Sequence, residues 1–264
     1  MVTPEFDRTF TSSGLVLEAY LRHPVPDDTG RPSAGVILCH GFPVAPLDAQ
    51  RAAASFPQLV DRIVDDTGYT AMTFSFRGCG ASQGEFSLQG WVDDLRAAID
   101  HFVETTGIDH VALIGTMSGG ATALCLAAED ARVAAVAMLA SPAGFGEWAD
   151  HWRRFLDHAR DMGAVHSPEF PPSLDEWKKE LRRFEPLVAA HQYGHRPLLI
   201  IHGAEDRNVD PSDARSIARA HGSAEFRLLS GAGNRLRHDP RAISILLGWL
   251  ERIRDADDSY RPTP

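Results

Sequence analysis

The stretch Gly115-Thr116-Met117-Ser118-Gly119-Gly120 constrains this chain more than any other. An apolar run, Val111 to Ile114, precedes it, and an Ala/Leu-rich run, Ala121 to Ala128, follows. Apolar strand, glycine-rich turn and helix in immediate succession make a sharp elbow. In so tight a turn, side chains two residues either side of the centre would collide with neighbouring backbone. Gly115 and Gly119 occupy those flanks, and the centre is Met117.

The remaining segments repeat the same strand–turn–helix logic. Residues 14–23 alternate apolar and polar, which predicts an antiparallel edge strand with one solvated face. Pro24 to Ser33 reads as a surface turn. Val36 to Cys39 is continuously apolar, as a strand buried on both faces should be, and a helix follows over about Ala52–Asp65, closed by Gly68. Tyr69 to Phe76 is the next strand. Ser87 is placed to cap a long helix ending near Gly107. Helix 119–130 and strand Val133–Leu139 come next. The strand signal then stops: Gly144 to Arg196 carries helical stretches near 146–162, 173–184 and 186–192, with many aromatics. Strand character returns at Leu198–Ile201. Asp210-Pro211 opens a helix to about Ala220, Glu225–Leu229 is a last strand, and Asp239-Pro240 opens the terminal helix. The polar tail from Asp255 is expected to fray. Alternating strands and helices predict an α/β fold with a mostly parallel central sheet.

Composition narrows the partners. A net charge of −10 with no long Lys/Arg cluster argues against nucleic acid and anionic membranes. No apolar run approaches the ~18 residues of a membrane span, and no secretory pattern opens the chain, so a cytoplasmic, bacterial-type protein is the default expectation. Cys39, Cys79 and Cys125 are too scattered for a disulfide framework or zinc site. Cys39 and Cys125 read as core packing, and Cys79, with no base nearby in sequence, as inert.

Ligands of open parallel sheets bind beyond the carboxyl ends of the strands. Five such ends are polar or glycine-rich: His40-Gly41-Phe42, Arg77-Gly78-Cys79-Gly80, the Met117 elbow, His202-Gly203-Ala204-Glu205-Asp206 and Gly231-Ala232-Gly233-Asn234. In this order they resemble the α/β-hydrolase superfamily over about residues 15–252. The resemblance implies a hydrolase core over 1–143 and 197–264, with a helical lid over 144–196 inserted after the sixth strand. It also implies roles: oxyanion donors from the backbone of Phe42 and Ser118, the nucleophile at Met117, the acid at Asp206 and the base at Asn234.

Two of those roles fail on chemistry. A thioether has no proton to release and forms no hydrolysable acyl adduct. An amide does not titrate near neutrality. Shifting the register by one residue would make Ser118 the nucleophile, with Thr116 and Gly120 as flanks and His238 as a replacement base. Three readings stay open. The chain binds a small, mostly apolar carbonyl-containing ligand and performs non-hydrolytic oxyanion chemistry, with Asp206 as a proton acceptor. It is a non-catalytic binding or partner protein, with Met117 filling the old site and Asn234 bonded to Asp206. Or it is an esterase or thioesterase using Ser118.

The lid aromatics Trp148, Trp152 and Phe155 are candidates for the ligand pocket. His40 and His202 read as structural, and Arg77 as tying its loop to nearby carbonyls or carboxylates. Asp93 and Asp94 read as a solvated helix face. His151, His158 and His166 lack the partners of a metal site. No cofactor and no metal are expected.

Overall fold

The apolar runs become strands buried on both faces. Val36, Ile37, Leu38 and Cys39 are each 0% exposed, and alternate residues feed opposite layers. The computed structural model describes residues 5–25, 34–45 and 48–259. Residues 26–33 of the expected Pro24–Ser33 turn lie outside these. Among the described residues eight strands form one sheet: β1 (Arg8–Ser12), β2 (Leu15–Arg22), β3 (Gly35–Cys39), β4 (Thr70–Phe74), β5 (Val111–Thr116), β6 (Val133–Leu139), β7 (Leu198–Gly203) and β8 (Glu225–Leu229). Their order is β1-β2-β4-β3-β5-β6-β7-β8. The β1–β2 and β2–β4 pairs are antiparallel and all others parallel.

The edge lies one strand further out than the alternation at 14–23 suggests. β2 is interior, between β1 and β4. β1 has only Phe10 as a large apolar residue, too little alternation to register in sequence. In β2 the expected faces hold: Leu17, Ala19 and Leu21 are buried.

Helices cover both faces. On one side lie α1 (Phe56–Thr67) and, later in the chain, the terminal helix Pro240–Ser259; they pack on Val36, Leu38, Ile114 and Ile201. The other face receives α2 (Leu88–Thr106) and α3 (Ser118–Glu129) against Ile37, Leu113 and Met138. Ser87 Oγ accepts from the Gly90 N–H at 2.9 Å at the start of α2, and Gly107, at φ 70, closes it.

Four helices separate β6 from β7: α4 (Gly146–Asp150), α5 (Trp152–Met162), α6 (Leu174–Arg183) and α7 (Pro186–Tyr193). His151 breaks the expected 146–162 helix in two. α7 packs between α3 and α8 (Pro211–His221), within the helical layer over the sheet. The span 144–196 therefore includes one helix of the core layer. The terminal helix, α9 (Pro240–Ser259), continues past Asp255, where fraying was expected.

Carboxylates bonded to backbone N–H groups anchor the insertion in both directions. Glu85, on the loop before α2, accepts from the N–H groups of His166 at 2.6 Å and Ser167 at 3.0 Å. Glu180, on α6, accepts from Leu88 N–H at 2.6 Å, at the start of α2 where N–H groups lack helical partners. Burial raises the Glu180 pKa above the usual carboxylate value.

Asp94 departs from the solvated face expected of it. Its side chain is 0% exposed and meets the Arg77 guanidinium at 2.6 Å, while accepting the Arg77 backbone N–H at 2.9 Å. This pair ties the loop after β4 to α2. Asp93 is partly exposed and pairs with Arg96 at 3.3 Å. Breaking a buried ion pair strands the surviving charge. Asp94→Ala is expected to lower unfolding free energy by about 3–5 kcal/mol in urea titrations, whereas Asp93→Ala changes it by under about 1 kcal/mol.

Candidate active site

The site is built on the turn from β5 into α3. Met117 holds φ 49 and ψ −129, and its N–H donates to Leu139 O at 2.8 Å. A non-glycine residue there is strained, at about 1–3 kcal/mol. The surrounding glycines are there because backbones meet. A Cβ at Gly115 would lie 2.3 Å from Gly120 Cα, and one at Gly119 would lie 2.1 Å from His40 O. At Gly41 it would lie 2.7 Å from Met117 Cβ. Met117 is thus the apex residue, and Ser118 begins α3.

His40 braces the adjoining loop in one tautomer. Its Nε2 accepts the Phe76 N–H at 3.0 Å, so the proton resides on Nδ1, which donates to Gly41 O at 2.8 Å. Burial lowers its pKa to about 4, partly opposed by the Gly41 bond. Two residues after His40, Phe42 directs its N–H to Ser118 Oγ at 2.7 Å. The two residues expected to shape an oxyanion hole therefore bond to each other.

Close backbone approach also joins the other two strand ends. A Cβ at Gly203 would lie 2.3 Å from both Ala232 O and Gly233 O. Glu205 N–H donates to Ala232 O at 2.9 Å. This sets the Asp206 loop beside the Asn234 loop. The Asp206 side chain is 0% exposed. Its Oδ1 accepts from Asn208 and Val209 N–H at 2.8 and 3.1 Å. Oδ2 has no hydrogen-bond partner and lies 3.4 Å from His202 Nε2, which itself points to Val209 O at 3.1 Å. The expected Asn234–Asp206 bond is not made. Asn234 Nδ2 instead donates to Met117 Sδ at 3.8 Å, since its side chain faces the apex. His238 is exposed in a short 3-10 turn, Leu236–His238, before α9.

A cavity of about 1040 Å³ lies above Met117. Phe42, Met117 and Ser118 line its floor, with Trp148, Phe155, His151, Arg154 and His158 of the insertion above. Trp148 and Phe155 stack at 4.2 Å, and Phe42 contacts both rings. Trp152 is not among the lining residues; its ring packs under the Arg153 guanidinium at 4.2 Å. Asp206 reaches the cavity through its backbone, its carboxylate being fully covered. His166 lies elsewhere, beside Glu85. Cys79 is buried. Among the described residues no group of His, Cys, Asp and Glu could hold a metal ion, and no helix is long and apolar enough to cross a membrane.

Two features went unread in the sequence. One is the lining role of His151, Arg154 and His158, whose signal was their spacing on one side of 151–158. The other is the Ser118–Phe42 bond, for which linear sequence held no signal because the partners are 76 residues apart.

Comparisons agree with this architecture. A model described as alpha/beta hydrolase fold matches residues 36–163. Est1E from Butyrivibrio proteoclasticus superposes with a TM-score of 0.70 at 18% identity, covering 96% of this chain and 100% of that one. The α/β-hydrolase GrgF from Penicillium sp. sh18 gives 0.69 at 20% identity, with 93% and 97% covered. The meta-cleavage product hydrolase CumD from Pseudomonas fluorescens gives 0.66 at 17% identity, covering 94% and 98%. No curated protein matches the chain by sequence. The chain has the α/β-hydrolase fold.

His40 carries a pH prediction. A histidine whose folded pKa is depressed stabilises the fold fully above its unfolded value, and that contribution is lost as pH falls from 6.5 towards 4. Unfolding free energy should drop across this window by about 1.4 kcal/mol per pH unit from this group. Urea titrations of His40→Gln should show a correspondingly shallower slope.

Proposed function

We propose that this protein binds a small, mostly apolar carbonyl-containing ligand in the cavity above Met117, under a lid formed by α4–α6, and does not turn over esters. The observation that carries this reading is the Phe42 N–H bonded to Ser118 Oγ at 2.7 Å. An oxyanion hole acts through donors left open for the developing charge. Here one such donor already has an acceptor within the protein.

The other site residues support the same reading. Met117 fills the apex, where a nucleophile would have to stand, with a side chain suited to packing. Asn234 directs one amide N–H at the Met117 sulfur, a weak acceptor, at 3.8 Å. The covered Asp206 carboxylate is poorly placed as a proton acceptor for a ligand. Less supports an esterase using Ser118: that hydroxyl accepts from Phe42, Ser118 is 3% exposed, and His238 is exposed outside the cavity lining. Est1E, whose structure is described with ferulic acid bound, shares the fold and is consistent with an aromatic carbonyl ligand.

Rebuilding the lost chemistry tests the reading. The wild type should hydrolyse p-nitrophenyl butyrate no faster than a Ser118→Ala control. Met117→Ser with Asn234→His should create slow turnover, with Asp206 Oδ2 free to hold the new imidazole. Adding Ser118→Ala should raise kcat by about a hundredfold by opening the Phe42 donor. Robust wild-type hydrolysis abolished by Ser118→Ala would overturn the proposal.

A further inference from the structure

The lid helices present more to the cavity than aromatic rings. His151, Arg154 and His158 recur at three- and four-residue intervals, and all three line the cavity alongside Trp148 and Phe155. Arg207 lines it from the loop after β7. Among the described residues, Arg154 and Arg207 make no ion pair or hydrogen bond to the protein, although both are exposed. Three acidic residues of the lining, by contrast, already accept backbone N–H groups, and the Asp206 carboxylate is covered besides. Asp206 Oδ1 takes Asn208 and Val209, Asp210 Oδ1 takes Ser212 at 2.7 Å, and Asp213 Oδ2 takes Ala143 at 2.9 Å. Glu147 is the remaining lining carboxylate. The lining residues include four acids against two arginines, so an anion would be held locally, by the two guanidiniums that make no ion pair or hydrogen bond to the protein, rather than by the overall charge of the walls.

We infer that the ligand is a small planar organic anion. Its conjugated or aromatic body lies against the Trp148–Phe155 stack, and its acidic group is held by Arg154 and Arg207, with His151 and His158 as further donors. An aromatic wall contributes apolar burial and ring contacts. A guanidinium presents paired N–H donors matched to a carboxylate or sulfonate. This deepens the binding reading above and rests on it.

A matched pair of dyes separates the two. 1-Anilinonaphthalene-8-sulfonate carries the fluorophore and an anionic group; N-phenyl-1-naphthylamine carries the fluorophore alone. Both should bind the folded wild type. Gly144→Trp should abolish both, since Gly144 lines the cavity and a side chain there enters open space. Arg154→Gln combined with Arg207→Gln should weaken the sulfonate at least about tenfold and change the neutral dye by less than about twofold. Raising the salt concentration should likewise weaken only the sulfonate. Circular dichroism confirms that each variant is folded. If both dyes bind in the cavity but the arginine variant shifts them equally, the anion assignment fails and the cavity reading stands. If neither dye binds, or Gly144→Trp leaves binding intact, the cavity reading fails and this inference with it.

Discussion

The structure depends on one crowded place, where the backbone of the β5–α3 turn meets the loop after β3. A Cβ at Gly119 would lie 2.1 Å from His40 O, and a Cβ at Gly115 would strike Gly120 Cα. Such contacts leave no latitude for the residue between the flanking glycines. Met117 is held at φ 49 because its neighbours over-determine it. The same approach brings Phe42 N–H to Ser118 Oγ and directs the Phe42 ring upward to Trp148 and Phe155. The elbow, the loop after β3 and the cavity floor are consequences of one steric arrangement.

Several polar groups around this turn bond within the protein. Phe42 bonds to Ser118, Asn234 to the Met117 sulfur, and His40 spans Gly41 and Phe76. The exception is Asp206 Oδ2, buried without a hydrogen bond and 3.4 Å from His202 Nε2. A buried acceptor left open carries a desolvation cost of about 1–3 kcal/mol. The cavity above, meanwhile, remains large, and its aromatic wall is continuous with the core.

Local pattern made most of the fold readable. Continuous apolar runs marked the inner strands, and Ser87, Gly107, Asp210-Pro211 and Asp239-Pro240 marked helix ends. The resemblance in five strand-end motifs supplied order and the α/β-hydrolase fold. What escaped depended on contacts far apart in the chain. Asp94 read as solvated because helical spacing does not reveal that Arg77 folds over it. α7 read as lid because its packing against α3 and α8 is tertiary. Trp152 and Trp148 looked equivalent, yet only Trp148 turns to the cavity. The non-catalytic reading bonded Asn234 to Asp206, but the Asn234 amide meets Met117 instead.

A protein that binds in this cavity without turning over esters, as proposed, has no working nucleophile beneath it. Intact-protein mass spectrometry after exposure to a fluorophosphonate tests this most directly. The account predicts an unmodified mass after prolonged incubation at excess reagent. A stoichiometric phosphonyl adduct that disappears in Ser118→Ala would contradict it, and would place an activated hydroxyl one residue along from Met117.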